Sequence, residues 1–285
     1  MRKIHYSWII LAITFLAVIV AGIIRSASGC NVGKNPYFCR NTREMDFFSK
    51  ILFASAALLA LVSCNKEDSD PSSLKRLVSP DAVDMGLSVK WASWNVGASK
   101  PEEHGICYQW AGSQDVTDTG IYLDWNNCPH HTGDYGETGW TKYIPSDKPS
   151  YWSGSANPDN KTVIDPEDDV AHANLGGKWR MPTQKEWGEL EENCKCIWTD
   201  DYNKTGIAGM IVTSNFTGNS IFLPATGLRY DDRWDFKTTY GYYWSSSLST
   251  DCPGYAYYTY VCYDNFNWLN YSMRLYGYFV RPVSE

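Results

Sequence analysis

From Thr238 to Ser284 the chain contains no Lys, Glu or Gln. A segment of that length with ordinary residue usage would hold about half a dozen of them. Their absence excludes an ordinary surface composition, so something restricts the residue menu. Histidine is sparse as well. After residue 64 only His104, His130, His131 and His172 remain, and no Ser/His/Asp grouping stands out as a nucleophile with its base. Basic charge is short too, with 25 Lys and Arg against 32 acids and a net charge of −7, which argues against nucleic acid as a partner. What replaces these residues is tyrosine. Eleven of the 20 tyrosines lie between Tyr240 and Tyr278, interleaved with Asn, Ser and Cys.

The first 63 residues carry two apolar runs. Ser7 to Ile24 has the length of a membrane helix or a signal h-region. The second run starts with Met45, Asp46 and Lys50, continues through "ILFASAALLALVSC" and ends at Cys64. "LVSC" resembles a bacterial lipobox, which implies cleavage before Cys64 and acylation of its thiol. Two export signals in tandem favour reading residues 1–44 as an upstream extension from a wrongly chosen start codon; a true N-terminal anchor is the alternative. Residues 45–63 then form the signal peptide and 64–80 a polar tether. "NKEDSD" after Cys64 resembles the surface-display signal of Bacteroidetes lipoproteins. Without residues 1–63 the balance is 18 basic against 30 acidic, a net of −12.

Residues 81–285 read as one domain of α+β class. "AVDMGLSVKWASWNVGAS" alternates around Val89, Trp91 and Trp94 as an opening strand pair. Residues 112–160 form a long loop rich in Gly, Asp, Asn and Pro. In "DPEDDVAHANLGG" the spacing puts Asp165 at a helix N-cap, Pro166 at its first position and Gly176 at its end. Capping accounts for the acids there more simply than calcium ligation. In "MPTQKEWGELEENC" Thr183 and Glu186 form a capping box, and Trp187, Leu190 and Cys194 mark the buried face. Only strand signals follow, making two early helices and a late antiparallel β region. The adjacent His130 and His131 read as loop residues. "CKC" at 194–196 lacks a second ligand pair at zinc spacing, so neither a metal nor a cofactor is expected. Cys107, Cys128, Cys194, Cys196, Cys252 and Cys262 leave disulfide connectivity open, though Cys194 and Cys196 are too close to pair.

The motifs "DMGLSVKWASWNVGAS", "PEDDVAHANLGGKWRMPTQKEW", "NSIFLPATGLRY", "GYYWSSS" and "GYFVRPV", in this order, resemble the Fibrobacter succinogenes major paralogous domain of Bacteroidetes lipoproteins. The resemblance implies a C-type-lectin-like fold in which Arg180, Trp244 and Arg281 are structural staples. The spacing between Trp268 and Arg274 is one residue longer than that family's pattern. The same fold houses the variable proteins of diversity-generating retroelements, which randomise adenines in Asn codons. That process yields a menu without Lys, Glu, Gln, Met or Trp, and Trp268 and Met273 are the departures here. A Tyr-rich domain that is not diversified is the alternative.

A surface-displayed lipoprotein binding a protein or glycan is the leading functional expectation, anchored to the outer membrane through Cys64 and lacking enzymatic activity. A subunit or tip protein of a surface appendage is the second. "KWRMPTQKEW" is also similar to a motif of formylglycine-generating enzymes, but the cysteine matching their C-terminal pair is not evident. "NWLN" departs from the "WND"-like step of calcium lectins. In "YAYYTYVCY" alternation divides the strand. The resemblance places Tyr255, Tyr257, Thr259, Val261 and Tyr263 inward and Tyr258, Tyr260 and Cys262 outward. Loops carrying Asp264, Asn265, Asn267, Leu269, Asn270 and Tyr271, and a turn with Leu275, Tyr276 and Tyr278, should complete one exposed ligand-binding patch. Trp187, Leu190, Trp244 and Val280 should be buried together.

Overall fold

A computed structural model describes residues 78–133, 138–146, 157–252 and 254–285. Residues 1–77, on which the expected signal segments, the lipidation of Cys64 and most of the expected tether fall, lie outside the described residues. The chain opens with β1 (Ala82–Val83), β2 (Lys90–Ala92) and β3 (Cys107–Gln109). A long loop leads to α1 (Val170–Leu175), β4 (Trp179–Arg180) and α2 (Gln184–Asn193). Then come β5 (Cys194–Thr199), β6 (Gly209–Ser214), β7 (Ser220–Pro224), β8 (Leu228–Tyr230) and β9 (Arg233–Asp235). The final elements are β10 (Tyr240–Leu248), β11 (Tyr255–Cys262), β12 (Asn265–Met273), β13 (Gly277–Phe279) and β14 (Val283–Ser284). The class is α+β, dominated by strands.

Three sheets result. One runs β1-β2-β14-β4, a second runs β12-β11-β10-β13-β8-β9 with β3 also on β13, and the third is β5-β6-β7. Helix α2 lies against β10, β11 and β12 and is the pivot of the core. Its capping box forms as the sequence requires: Thr183 Oγ1 accepts from Glu186 N, and Glu186 accepts from Thr183 N. Trp187 and Leu190 are fully buried and share one cluster with Trp244 and Val280. Trp187 meets Trp91 at 4.6 Å and Tyr243 at 5.7 Å between ring centroids.

Three local expectations are corrected. Helix α1 is capped by Asp169, not Asp165; its carboxylate accepts from Ala171 N, His172 N and Met181 N. The segment from Asp165 turns first, with Asp168 N and Asp169 N both bonded to Asp165 O. Asp169 wins because one buried carboxylate there caps the helix and also ties down β4. Second, "CKCIWT" forms β5 directly after α2. Third, residues 265–273 are a nine-residue strand and not loops. Phe266 anchors that strand opposite Val261, where a buried aromatic outweighs the low strand propensity of four Asn and Ser residues.

Buried arginines fasten the loops. Arg281 donates to Asn95 Oδ1, Ala92 O and Phe222 O at 2.7–2.8 Å. Arg229 donates to Val116 O, Asp118 O and Ile121 O, and Arg274 to Tyr143 O. Both pin the long loop onto the second sheet. Burial pulls the Arg281 guanidinium down to about 10 and that of Arg274 to about 9, so both stay charged at neutral pH. Arg180 is half-buried and forks onto Glu186 at 2.6 and 2.9 Å.

Candidate functional site

The strand pairing gives β10, β11 and β12 two chemically different faces. Tyr243 pairs with Thr259, Gly241 with Val261, and Val261 with Phe266. This face is fully buried at Tyr243, Thr259 and Val261 and turns toward Trp187. On the other face Tyr242 pairs with Tyr260 and Trp244 with Tyr258. There the rings form a continuous strip. Tyr240 and Tyr242 are stacked at 5.8 Å, Tyr242 meets Tyr258 and Tyr278 at 5.9 and 5.3 Å, and Tyr240 meets Tyr260 at 6.0 Å. Tyr276 and Tyr230 continue it at 6.5 and 5.9 Å. Tyr230, Tyr240, Tyr242, Tyr258, Tyr260 and Tyr276 are each half-buried, with ring area left to solvent. Tyr278 and Trp244 lie beneath, stacked at 4.2 Å. Burial pushes the Tyr258 phenol up to about 12, and its neighbour Tyr260 adds to the shift. The Tyr258 phenol therefore stays neutral at neutral pH, able to donate and to accept.

The twelve residues expected as one patch do not share a face. Tyr258 and Tyr260 are half-buried on the strip, with Asn267 and Asn270 opposite them in β12 and Tyr276 beyond. Asn265 is exposed and donates to Tyr260 Oη at 3.0 Å, and Asp264 is exposed in the turn. Cys262 is only 6% exposed; this small side chain stands between Tyr240 and Asn265, which cover it. Leu275 is buried in a turn whose carbonyl accepts from Gln109. Tyr278 is buried because β13 is an interior strand, with Trp244 over its ring and Ser272 Oγ accepting from its hydroxyl. Tyr271 is exposed but pairs with Tyr257, which puts it on the opposite face from Tyr258. Of the residues expected inward, Thr259 and Val261 are buried. Tyr255 and Tyr257 are half-buried, and Tyr263 in the turn is 78% exposed.

Between Asn267 and Asn270, β12 carries one residue more than β11 does opposite it. Tyr258 pairs with Asn270 and Tyr260 with Asn267, so Trp268 and Leu269 both oppose Thr259 in a β-bulge. The bulge turns Trp268 onto α2 at Gly188, where an added Cβ would lie 3.0 Å from the indole. Leu269 is left 62% exposed. The sequence reading missed Tyr230, Tyr240 and Tyr242 as members of the strip. Their period-two spacing in β10 was a signal for the last two, whereas the approach of β8 through β13 has no sequence signature.

Two cavities border described loops near this region. One of about 310 Å³ lies at the Tyr240 end of the strip, lined by Trp198, Asp200, Thr238, Thr239, Tyr240, Cys262, Tyr263 and Asp264. The other, about 340 Å³, has His130, Glu167 and Asp168 in its wall. Asp165, Glu167 and Asp168 converge there as metal ligands would, but the Lys142 ammonium sits among them at 2.6–2.9 Å. Burial opposes ionisation of Asp168, yet hydrogen bonds from Lys142 and Tyr143 hold its carboxyl below the usual range. The cation such a group needs is already supplied by the chain. The six cysteines of the described residues are unpaired. Burial pushes Cys128 and Cys196 up to about 12 and Cys194 to about 11, which keeps these thiols protonated at neutral pH. No family model, no curated protein and no solved structure matches this chain.

Proposed function

We propose that this protein is a surface-displayed lipoprotein that binds a protein or glycan through the tyrosine strip on the outer face of β10–β12. The observation that carries this reading is the strip itself: half-buried Tyr240, Tyr242, Tyr258 and Tyr260 linked by ring contacts, and joined through buried Tyr278 to half-buried Tyr276 and Tyr230. Rigid aromatic rings give contact area at little entropic cost, and the interleaved Ser and Asn supply adaptable hydrogen bonds. Contiguous surfaces of this kind on exported domains are normally interaction sites. The fold is read as C-type-lectin-like. In support, Trp244 and Arg281 are fully buried and Arg180 is half-buried, as the family resemblance implied for staples. Retroelement diversification of the C-terminal stretch fits the same picture. From Tyr255 to Val283, Trp268 and Met273 are the two residues outside its menu, and both pack partly against the core, where variation would be costly.

Arrays of glycans and extracellular proteins probed with the full chain test the binding role. Tyr240→Ala and Tyr260→Ala are each expected to weaken a captured ligand by about 2 kcal/mol if they are hot-spot residues, with thermal stability nearly unchanged. Loss of folding instead, or full retention of binding by both variants, overturns the assignment of this face. Anchoring has its own readout. Cys64→Ala is expected to abolish lipid labelling and membrane association, and a mature chain whose intact mass includes residues 1–44 would refute the lipobox reading.

A further inference from the structure

The cavity at the Tyr240 end of the strip has a composition unlike the rest of the surface. Asp200 and Asp264 place two exposed carboxylates at its wall, Trp198, Tyr240 and Tyr263 line it with aromatic rings, and no Lys or Arg contributes. We infer that this cavity receives the guanidinium or ammonium group of an arginine or lysine side chain presented by a protein partner. The inference rests on the reading of the tyrosine strip as a binding face and specifies what its end recognises.

Charge and ring chemistry point the same way. A cation over an aromatic face is attracted by the ring quadrupole, and a carboxylate beside it adds an ion pair. Trp198 Nε1 donates to Asp200 Oδ1 at 2.9 Å, which fixes ring and carboxylate in one arrangement before any ligand arrives. The cation adjacent to the cavity in sequence, Lys237, is engaged elsewhere: its ammonium lies 3.6 Å above the Trp234 ring. The next residue, Thr238, lines the cavity at φ +76°, a conformation that a β-branched residue adopts only under strain. Such strain tends to be kept where a wall has to hold its shape.

Three observations choose among cationic occupants. The one group of three carboxylates among the described residues that converges as metal ligands would lies elsewhere, at Asp165, Glu167 and Asp168, so a divalent ion is not the fit here. About 310 Å³ is at the small end for ligand cavities and suits a single long side chain. The rings also do not stop at its mouth. Tyr242 and Tyr260 follow Tyr240 at 5.8 and 6.0 Å, so an occupant of the cavity meets more contact surface outside it. A polypeptide that inserts one cationic side chain and lies along the strip uses both.

The test titrates the full chain with arginine amide and with citrulline amide, its neutral isostere, following the indole N–H resonance of Trp198. Arginine amide is expected to shift it with millimolar affinity and citrulline amide to be at least about fivefold weaker. Asp200→Asn combined with Asp264→Asn should weaken arginine amide about tenfold, and Tyr263→Ala about threefold. Both variants leave the fold unchanged, since these residues are at the surface. Equal binding of citrulline amide, no response to arginine amide, or a stronger response to a methyl glycoside overturns the inference. Capture of an array ligand that is lost in Tyr260→Ala but kept in the double Asn variant would remove the cationic socket alone and leave the binding face standing.

Discussion

Replacement of Trp187 by alanine is expected to lower the unfolding free energy by about 3–5 kcal/mol, the range for truncating a large aromatic in a packed core. The indole is fully buried, sits 4.6 Å from Trp91 and 5.7 Å from Tyr243, and donates to the Trp244 carbonyl. Those partners come from β2 and β10, so the void would open where the first and second sheets meet through α2. Neither sheet can close over it without breaking backbone pairs. Domains of this kind have a total stability of roughly 5–15 kcal/mol, so the variant would lose a large fraction of it. Urea unfolding of the two proteins side by side provides the measurement. Trp187→Phe should fall between them. A loss below about 1 kcal/mol for the alanine variant would mean that α2 is not the pivot of the core.

Arg281→Met is expected to cost a similar amount, about 3–5 kcal/mol, by a different mechanism. Methionine nearly fills the volume, so little packing is lost. What remains is Ala92 O, Phe222 O and Asn95 Oδ1, three buried acceptors without their donor. Each buried acceptor left unsatisfied costs about 1–3 kcal/mol, partly relieved where water can enter. Arg281→Lys is expected to recover only part of the loss. A single ammonium lacks the planar fork that reaches β2 and the middle of β7 together. Equal stability of the Met variant and the parent would show that the acceptors find other donors.

Several features of this domain were legible from local chemistry alone. Helix α2 announced itself through Thr183, Glu186 and Trp187, because capping and burial there agree on one register. Alternation set Thr259 and Val261 on the face opposite Tyr258 and Tyr260, and the family resemblance supplied which face turns inward. The errors share a cause, which is that burial is decided by neighbours distant in the chain. Tyr278 looks like its exposed neighbours in sequence, but the pairing of β13 with β3, β8 and β10 makes it interior. Tyr271 changed faces because the bulge at Trp268 and Leu269 consumes one residue, and one residue inverts the alternation beyond it. Asp169 displaced Asp165 as the cap because its second acceptor role, toward Met181 N, belongs to tertiary structure. The tyrosine strip was legible as a composition. Its actual outline, including Tyr230 and Tyr240, was not.

The sheet that holds β2 between β1 and β14 sets a constraint on how the chain is delivered. Ala92 receives the guanidinium of Arg281, 189 positions further along, and its own N–H is bonded to Pro282 O. A chain that emerges from its amino end must therefore expose one edge of β2 until residue 282 has arrived. Contacts of such long range make folding slow, since loop closure precedes any gain from the contact. The first sheet is therefore completed last, whereas the β5-β6-β7 meander has all its strands by Pro224.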